Sequence, residues 1–339
     1  MNTAAFHAYT HSETFLSSLG LAPQTNLQFS LLGQGEYNQN FSFIHPLTGQ
    51  KLVLRINTGS QMHLDHQIEY EFSALRALES SGRTPKALFC DNSKGILPYG
   101  TLVMEWLPGR PLDYRRDLSK AAEIFADIHS TVVPADHQLI QPAHPAKAIF
   151  DECMEMVQHY FDWDKADKTI VSLLEQLNTE ISKLPLTAPC SAPLCMVNTE
   201  VNSGNFLIND EGKSYLIDWE KPLLSEAAQD LGHFLVPTTT FWKTDVILTP
   251  DEIRYFVALY ETAVAGRMDT SSLKERLPLF FTVTCLRGVT WCAMALREYS
   301  APDRPLSNAD TLAKIQDYMN EDFLRNLLNN YVRRNFLKG

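Results

Sequence analysis

The sequence predicts an α+β protein of two lobes: a small antiparallel-sheet lobe over residues 1–105 and a larger, mostly helical lobe over residues 106–339. Three observations carry this. Short apolar runs at period two, separated by turn residues and interrupted by one helical stretch, fill the chain before Leu107. Leu107-Pro108-Gly109 then breaks the pattern, and the rest is dominated by helical spacing with one hairpin near residues 205–218. At 339 residues and 45% hydrophobic, the chain can bury a core in each lobe.

Taken in order, residues 6–19 read as one amphipathic helix. Strands are expected at 27–32 and 40–44, joined by the turn Gly33-Gln34-Gly35-Glu36-Tyr37-Asn38. A third strand is expected at 51–56, where Leu52, Leu54 and Ile56 alternate with Lys51, Val53 and Arg55. A helix over 64–79 follows and is ended by Gly82-Arg83-Thr84-Pro85. Further strands are expected at 87–90 and 101–106.

The net charge of −11 argues against a nucleic acid as main ligand, because such proteins usually carry a basic face. It favours a cationic small molecule, although ordinary mild acidity gives the same number. The six cysteines form no CxxC pair, have no His at zinc-ligand spacing, and read as buried free thiols. No basic region followed by an apolar run opens the chain, and no apolar stretch reads as membrane-spanning. The expectation is a cytoplasmic protein without a membrane partner. The sequence says nothing of oligomeric state.

Two constellations bear chemistry. In the first, Gly33 and Gly35 lie in a turn between strands, where missing side chains let backbone N–H groups approach phosphate oxygens. An ordinary hairpin would use the same residues. On the helix that follows, Glu71 falls on the apolar face with Leu64, Ile68, Leu75 and Leu78, whereas Glu69 faces away. A carboxylate there needs a partner. Arg55, near the end of the third strand, is the nearest candidate, either as a structural ion pair or to present a cation to phosphates.

The second constellation is Val197-Asn198-Thr199-Glu200-Val201-Asn202-Ser203-Gly204-Asn205. It is followed by two short apolar runs, 206–208 and 215–217, with Asn209-Asp210-Glu211-Gly212 in the turn between them. Antiparallel pairing brings Asn205 towards Asp218, with Glu200 on the loop feeding them. Asn205 and Asp218 offer hard oxygen ligands for Mg²⁺, and Glu200 is suited to orient or deprotonate a hydroxyl. Taken singly, Asp218 fits a helix cap and Asn205 a loop hydrogen bond.

With these residues in view, the chain resembles the aminoglycoside phosphotransferase/choline kinase family, which has the protein-kinase-like two-lobed fold. Residues 198–205 look like the family's HxDxxxxN loop, and Leu216-Ile217-Asp218-Trp219-Glu220 like its metal-binding segment. Leu32-Gly33-Gln34-Gly35-Glu36-Tyr37-Asn38 is similar to its phosphate loop, which brings in Asn38; Val53-Leu54-Arg55 and Glu71 match its basic strand residue and helix carboxylate. Val103-Met104-Glu105-Trp106-Leu107-Pro108-Gly109 resembles the hinge, whose backbone at Glu105 and Leu107 would meet adenine. Ile128-His129 and Asp230-Leu231 match later motifs, and the ordered set covers roughly residues 30 to 235. The resemblance implies ATP and Mg²⁺ as cofactors and a small hydroxylated acceptor: an amino alcohol, a sugar derivative or an amino-sugar antibiotic.

Two positions depart from the family. Asn198 stands for the usual His and Glu200 for the usual catalytic Asp. The added methylene leaves open a reshaped pocket with Glu200 as base, a slow enzyme, or a nucleotide-binding pseudokinase with a regulatory role. The retained Asn205 and Asp218 favour the first. Arg55 in place of Lys, and the absence of Ala-Pro-Glu after Asp218, point away from a protein kinase. The acceptor wall is expected on helices after Ala148 and Leu279; there Asp151, Glu152 and Glu155 fit a helix's first turn and Trp291 fits a core.

Overall fold

Five strands, β1 (Ser30–Gln34), β2 (Asn38–Ile44), β3 (Lys51–Asn57), β4 (Ala87–Asp91) and β5 (Gly100–Glu105), form one antiparallel sheet in the order β1-β2-β3-β5-β4. The computed structural model describes residues 3–35, 37–60, 62–189, 192–300, 309–334 and 337; Glu36 and Cys190 lie outside them. The chain divides into two compact units. The first comprises Met1–Arg110, Thr131–Leu139 and Leu207–Pro222, and the second Pro111–Ser130, Ile140–Phe206 and Leu223–Gly339.

In the first unit, β3 is buried on both faces rather than on one. Leu52, Leu54 and Ile56 join a core with Tyr9, Phe15, Leu16 and Phe43. Its other face carries Val53 and Arg55, and helix α3 (Gln67–Leu78) supplies the partner of Arg55. Ile68, Glu71, Leu75 and Leu78 are all buried, as their spacing requires, and Glu69 is exposed. The expected helix over 6–19 is instead two helices, α1 (Thr3–Thr10) and α2 (Glu13–Ser18). The break comes at Ser12, whose hydroxyl accepts from the Phe15 amide and so starts a new helix. Strand β1 begins and ends later than expected, so Gly33 lies within the strand, beside an irregularity between Leu31 and Gly33.

The second unit is helical: α4 (Leu118–His129), α5 (Pro145–Phe161), α6 (Lys168–Ser182), α7 (Ala227–Leu235), α8 (Pro237–Thr240), α9 (Pro250–Val264), α10 (Leu273–Tyr299), α11 (Ala309–Tyr318) and α12 (Glu321–Asn326), with a π-helical turn at Leu327–Arg333. Starts are written in the sequence where Pro occupies the first turn of α5, α8 and α9. At α9, Thr249 and Glu252 complete a reciprocal capping box. The rings of Phe125, Phe206, Phe234 and Phe256 pack together at the centre. A two-stranded sheet of β6 (Leu194–Val197) and β9 (Leu223–Glu226) was not legible beforehand. The hairpin strands β7 (Phe206–Leu207) and β8 (Tyr215–Leu216) do pair, but Ile208 bridges Arg110 instead of extending β7.

Contrary to the sequence expectation, one helix, α10, is long and apolar enough to cross a membrane. The explanation is burial: 72% of its most apolar window is inside the protein, where α10 packs against α5, α7, α8 and α11. Gly232 permits the approach of α7, since a Cβ there would sit 2.8 Å from the Phe281 backbone nitrogen. Trp291 is not core: it is half-buried and packs edge-on against Trp242 at 5.3 Å. Asp151, Glu152 and Glu155 lie beyond the first turn of α5, so they do not serve its dipole. Cys153, Cys195, Cys285 and Cys292 are buried free thiols, and Cys90 is half-buried.

Candidate active site

The first unit gathers a polar cluster on β3. Arg55 is 6% exposed, and its Nη1 donates to Glu71 Oε1 at 2.5 Å. Its Nε donates to Asn40 Oδ1 at 3.0 Å, and Nη1 and Nη2 each reach Asp218 Oδ1 at 3.4 Å. The pairing of Arg55 with Glu71 was readable from the strand and helix pattern; the addition of Asp218 was not. Burial alone would lower the Arg55 pKa, but Glu71 and Asp218 outweigh it and keep the guanidinium charged. Burial raises the Glu71 carboxyl against the pull of Arg55, and Asp218 adds to the rise. Glu71 Oε2 is buried without a hydrogen-bond partner.

Glu220 belongs to this cluster. Its Oε2 accepts from Asn38 Nδ2 at 2.5 Å, and its backbone carbonyl accepts from Gln67 Nε2 at 2.6 Å. Asn38 in turn accepts from Asn57 Nδ2 at 2.9 Å. Burial pushes the Glu220 carboxyl up to about 7, with the Asp218 charge adding and Arg55 opposing. The cluster therefore sets one guanidinium among the carboxyls of Glu71, Asp218 and Glu220, an excess of negative charge that suits a cation. Asp218 itself has φ of 66°, a left-handed backbone uncommon outside glycine and frequent at functional sites.

Neither Gly33 nor Gly35 has positive φ. A Cβ at Gly33 would meet nothing within 4 Å, and one at Gly35 only the Asn38 carbonyl at 3.8 Å. The protein's own packing thus does not require glycine at either place. Gly35 N–H donates to Asn38 O at 2.8 Å. Glu105 ends β5, opposite Leu52, and Leu107 is buried after it. Gly109, with φ of 144° and a Cβ position 2.7 Å from the Leu207 backbone, is required as glycine. There the chain is pinned by paired hydrogen bonds between Arg110 and Ile208.

The second unit holds Glu200 and Asn205 on the loop after β6. Asp230, fully buried on α7, accepts from the Asn198 amide at 2.7 Å and the Thr199 amide at 2.9 Å. His129 Nε2 lies 3.5 Å from the same carboxylate, and His129 Nδ1 meets the Tyr260 hydroxyl at 3.0 Å. The two family-like motifs at His129 and Asp230 therefore meet. Asn198 Oδ1 accepts from the Glu200 amide at 2.9 Å, which closes a tight turn ahead of Glu200. Asn205 Nδ2 donates to the Glu200 carbonyl at 2.6 Å. That bond uses the amide nitrogen and leaves Oδ1 as an acceptor. The Glu200 carboxylate meets Arg287 of α10 at 3.2 Å, a partner the sequence reading missed because it lies 87 residues away.

A family model described as the phosphotransferase enzyme family matches residues 28–269. The chain belongs to that family. No curated protein matches the sequence significantly. Among solved structures, a putative aminoglycoside phosphotransferase from Ralstonia eutropha is 17% identical, with 98% of each chain covered and a TM-score of 0.66. An ethanolamine kinase from Plasmodium vivax is 14% identical over 98% of this chain and 90% of its own, with a TM-score of 0.65. A spectinomycin phosphotransferase, solved with ADP and spectinomycin, is 16% identical over 91% and 93%, with a TM-score of 0.57. The fold is thus that of the protein-kinase-like phosphotransferases, a small antiparallel sheet followed by a helical portion, and the enzyme class is small-molecule phosphotransferase.

Among the described residues, no group of three or more His, Cys, Asp or Glu could hold a metal by itself. In the first unit, the negative excess around Asp218 and the unpartnered Glu71 Oε2 suit a cation; in the second, the bond from Asn205 to Glu200 leaves the Asn205 oxygen as an acceptor.

Proposed function

We infer that the protein transfers the terminal phosphate of ATP, with Mg²⁺, to a hydroxyl of a small and preferably cationic molecule. The observation that carries this is the buried Arg55–Glu71 pair with Asp218 added to it, a cation–carboxylate set of the kind that phosphoryl transfer needs. The family membership and a structural relative solved with ADP support the nucleotide. Within this reading, Gly33, Gly35 and Asn38 line the phosphate side, and Arg55, oriented by Glu71, places its charge towards the phosphates. The backbone at Glu105 and Leu107 meets the base. Asp218 and Asn205 supply oxygen ligands to the metal. When bound, the metal neutralises charge on the phosphates.

Glu200 orients the acceptor hydroxyl and takes its proton. Its turn is set by Asn198, so the residue standing where the family has His performs a local hydrogen-bonding role. The Asp230 carboxylate fixes the two preceding amides. A loop held by this many charged contacts favours a working base over a decayed pseudokinase. The net charge of −11 and the exposed side of Glu152 favour a cationic acceptor.

The test is an acceptor panel of amino alcohols, sugars and aminoglycosides with Mg²⁺ and γ-labelled ATP. The expected result is one labelled phosphate ester, lost in Glu200→Gln and in Asp218→Asn. Thermal stabilisation by ATP with no ester from any acceptor would establish the pseudokinase reading instead.

A further inference from the structure

We propose that Arg287 is the positioning residue of the Glu200 loop, bracing the loop's backbone and its carboxylate with one guanidinium. The proposal rests on the reading of Glu200 as the proton acceptor. Arg287 Nη1 donates to the Thr199 carbonyl at 2.9 Å, and Nη2 donates to Glu200 Oε1 at 3.2 Å. On its other side, Nε lies 3.7 Å from Glu152 Oε2 of α5, and Nη1 lies 3.5 Å from His233 Nδ1 of α7. Burial alone would lower the Arg287 pKa, but the Glu152 and Glu200 charges outweigh it. A planar fork can hold two acceptors in fixed directions, which a lysine ammonium on a flexible stem cannot.

The backbone gives an independent reason for a brace. Thr199 is β-branched yet has φ of 67°, a strained conformation that survives only where the surroundings over-determine it. Its amide is held by the buried Asp230 at 2.9 Å and its carbonyl by Arg287 at 2.9 Å, so charged groups pin both peptides. Glu200 follows directly. Its extra methylene adds about 1.5 Å of reach over aspartate, and that reach ends on Arg287. Glu200 and Arg287 are therefore a matched pair, and the departure from the family's aspartate is accommodated from α10.

The experiment compares Arg287→Met and Arg287→Lys in the full chain, with Mg²⁺-ATP and either ethanolamine or water as acceptor. Arg287→Met should lower kcat by about 10- to 100-fold, with KM for ATP unchanged and the melting temperature nearly so, while Arg287→Lys recovers part of the loss. In a Glu200→Gln background, removing Arg287 should change kcat less than about threefold, because residues acting as a unit are non-additive. Amide exchange over residues 197–205 should quicken in Arg287→Met and less in Arg287→Lys. Wild-type kcat and unchanged exchange in Arg287→Met would overturn the proposal. So would equal kcat losses in both backgrounds with general loosening of the protein. If native protein shows no turnover with either acceptor, the exchange experiment alone decides the brace, and the acceptor panel decides the proposed function.

Discussion

Replacing Glu71 by Leu removes the carboxylate from the Arg55 pair and leaves a guanidinium that is 6% exposed. Breaking a buried pair from one side costs about 3–5 kcal/mol, because the remaining charge is uncompensated. Arg55 keeps Asn40 at 3.0 Å and Asp218 at 3.4 Å, which places the cost at the low end, about 3 kcal/mol. At about 1.4 °C per kcal/mol for a chain of 339 residues, the melting temperature should fall by roughly 4 °C. The double variant Arg55→Met/Glu71→Leu removes both charges and should return to within about 1 kcal/mol of native, since apolar replacement of a buried pair is often neutral. Thermal melts with and without Mg²⁺-ATP measure both effects. The double variant should recover stability and still show no shift on adding nucleotide, which separates a binding role from a structural one. A double variant that gains as much from Mg²⁺-ATP as native protein would refute the reasoning, as would a single variant that loses less than about 1 kcal/mol.

Glu220 yields a pH prediction. Its carboxyl sits at about 7 in the folded protein against 4.5 in the unfolded chain, so the folded state holds the extra proton and stability falls as pH rises between those values. Urea midpoints of metal-free protein should show this fall, and Glu220→Gln should lack it. Gly232→Ala places a Cβ 2.8 Å from the Phe281 backbone nitrogen and should cost about 1–3 kcal/mol by overpacking, read as a lower urea midpoint with unchanged slope. Gly33→Ala meets no protein atom, so stability should stay within about 0.5 kcal/mol while the apparent Kd for ATP rises. Equal loss of both would show that Gly33 serves packing instead.

Period-two alternation and a single amphipathic helix were enough to read the sheet and α3, because those signals are local. The Arg55–Glu71 pair was legible because a carboxylate on an apolar face demands a partner and a strand end nearby supplied one. Strand boundaries near Gly33 were missed, since an irregularity at Leu31 and Gly33 shifts the register by tertiary fit. The β6–β9 sheet pairs residues 26 or more apart, with no turn signal to announce it. Arg287 escaped for the same reason, being recruited by the packing of α10; Asp230 and Glu220 were named only as parts of family-like motifs, and their partners were not legible. Trp291 looked like core from helical spacing alone, but α10 is not covered evenly along its length.

The most direct measurement is the rate of γ-phosphate loss in a single turnover, with enzyme in excess over Mg²⁺-ATP and acceptor. Native protein should release the phosphate onto the acceptor alcohol, and Glu200→Gln and Asp218→Asn should each be slower by about 10²-fold or more. Equal rates in the native protein and both variants would contradict the assignment of the chemistry to these residues.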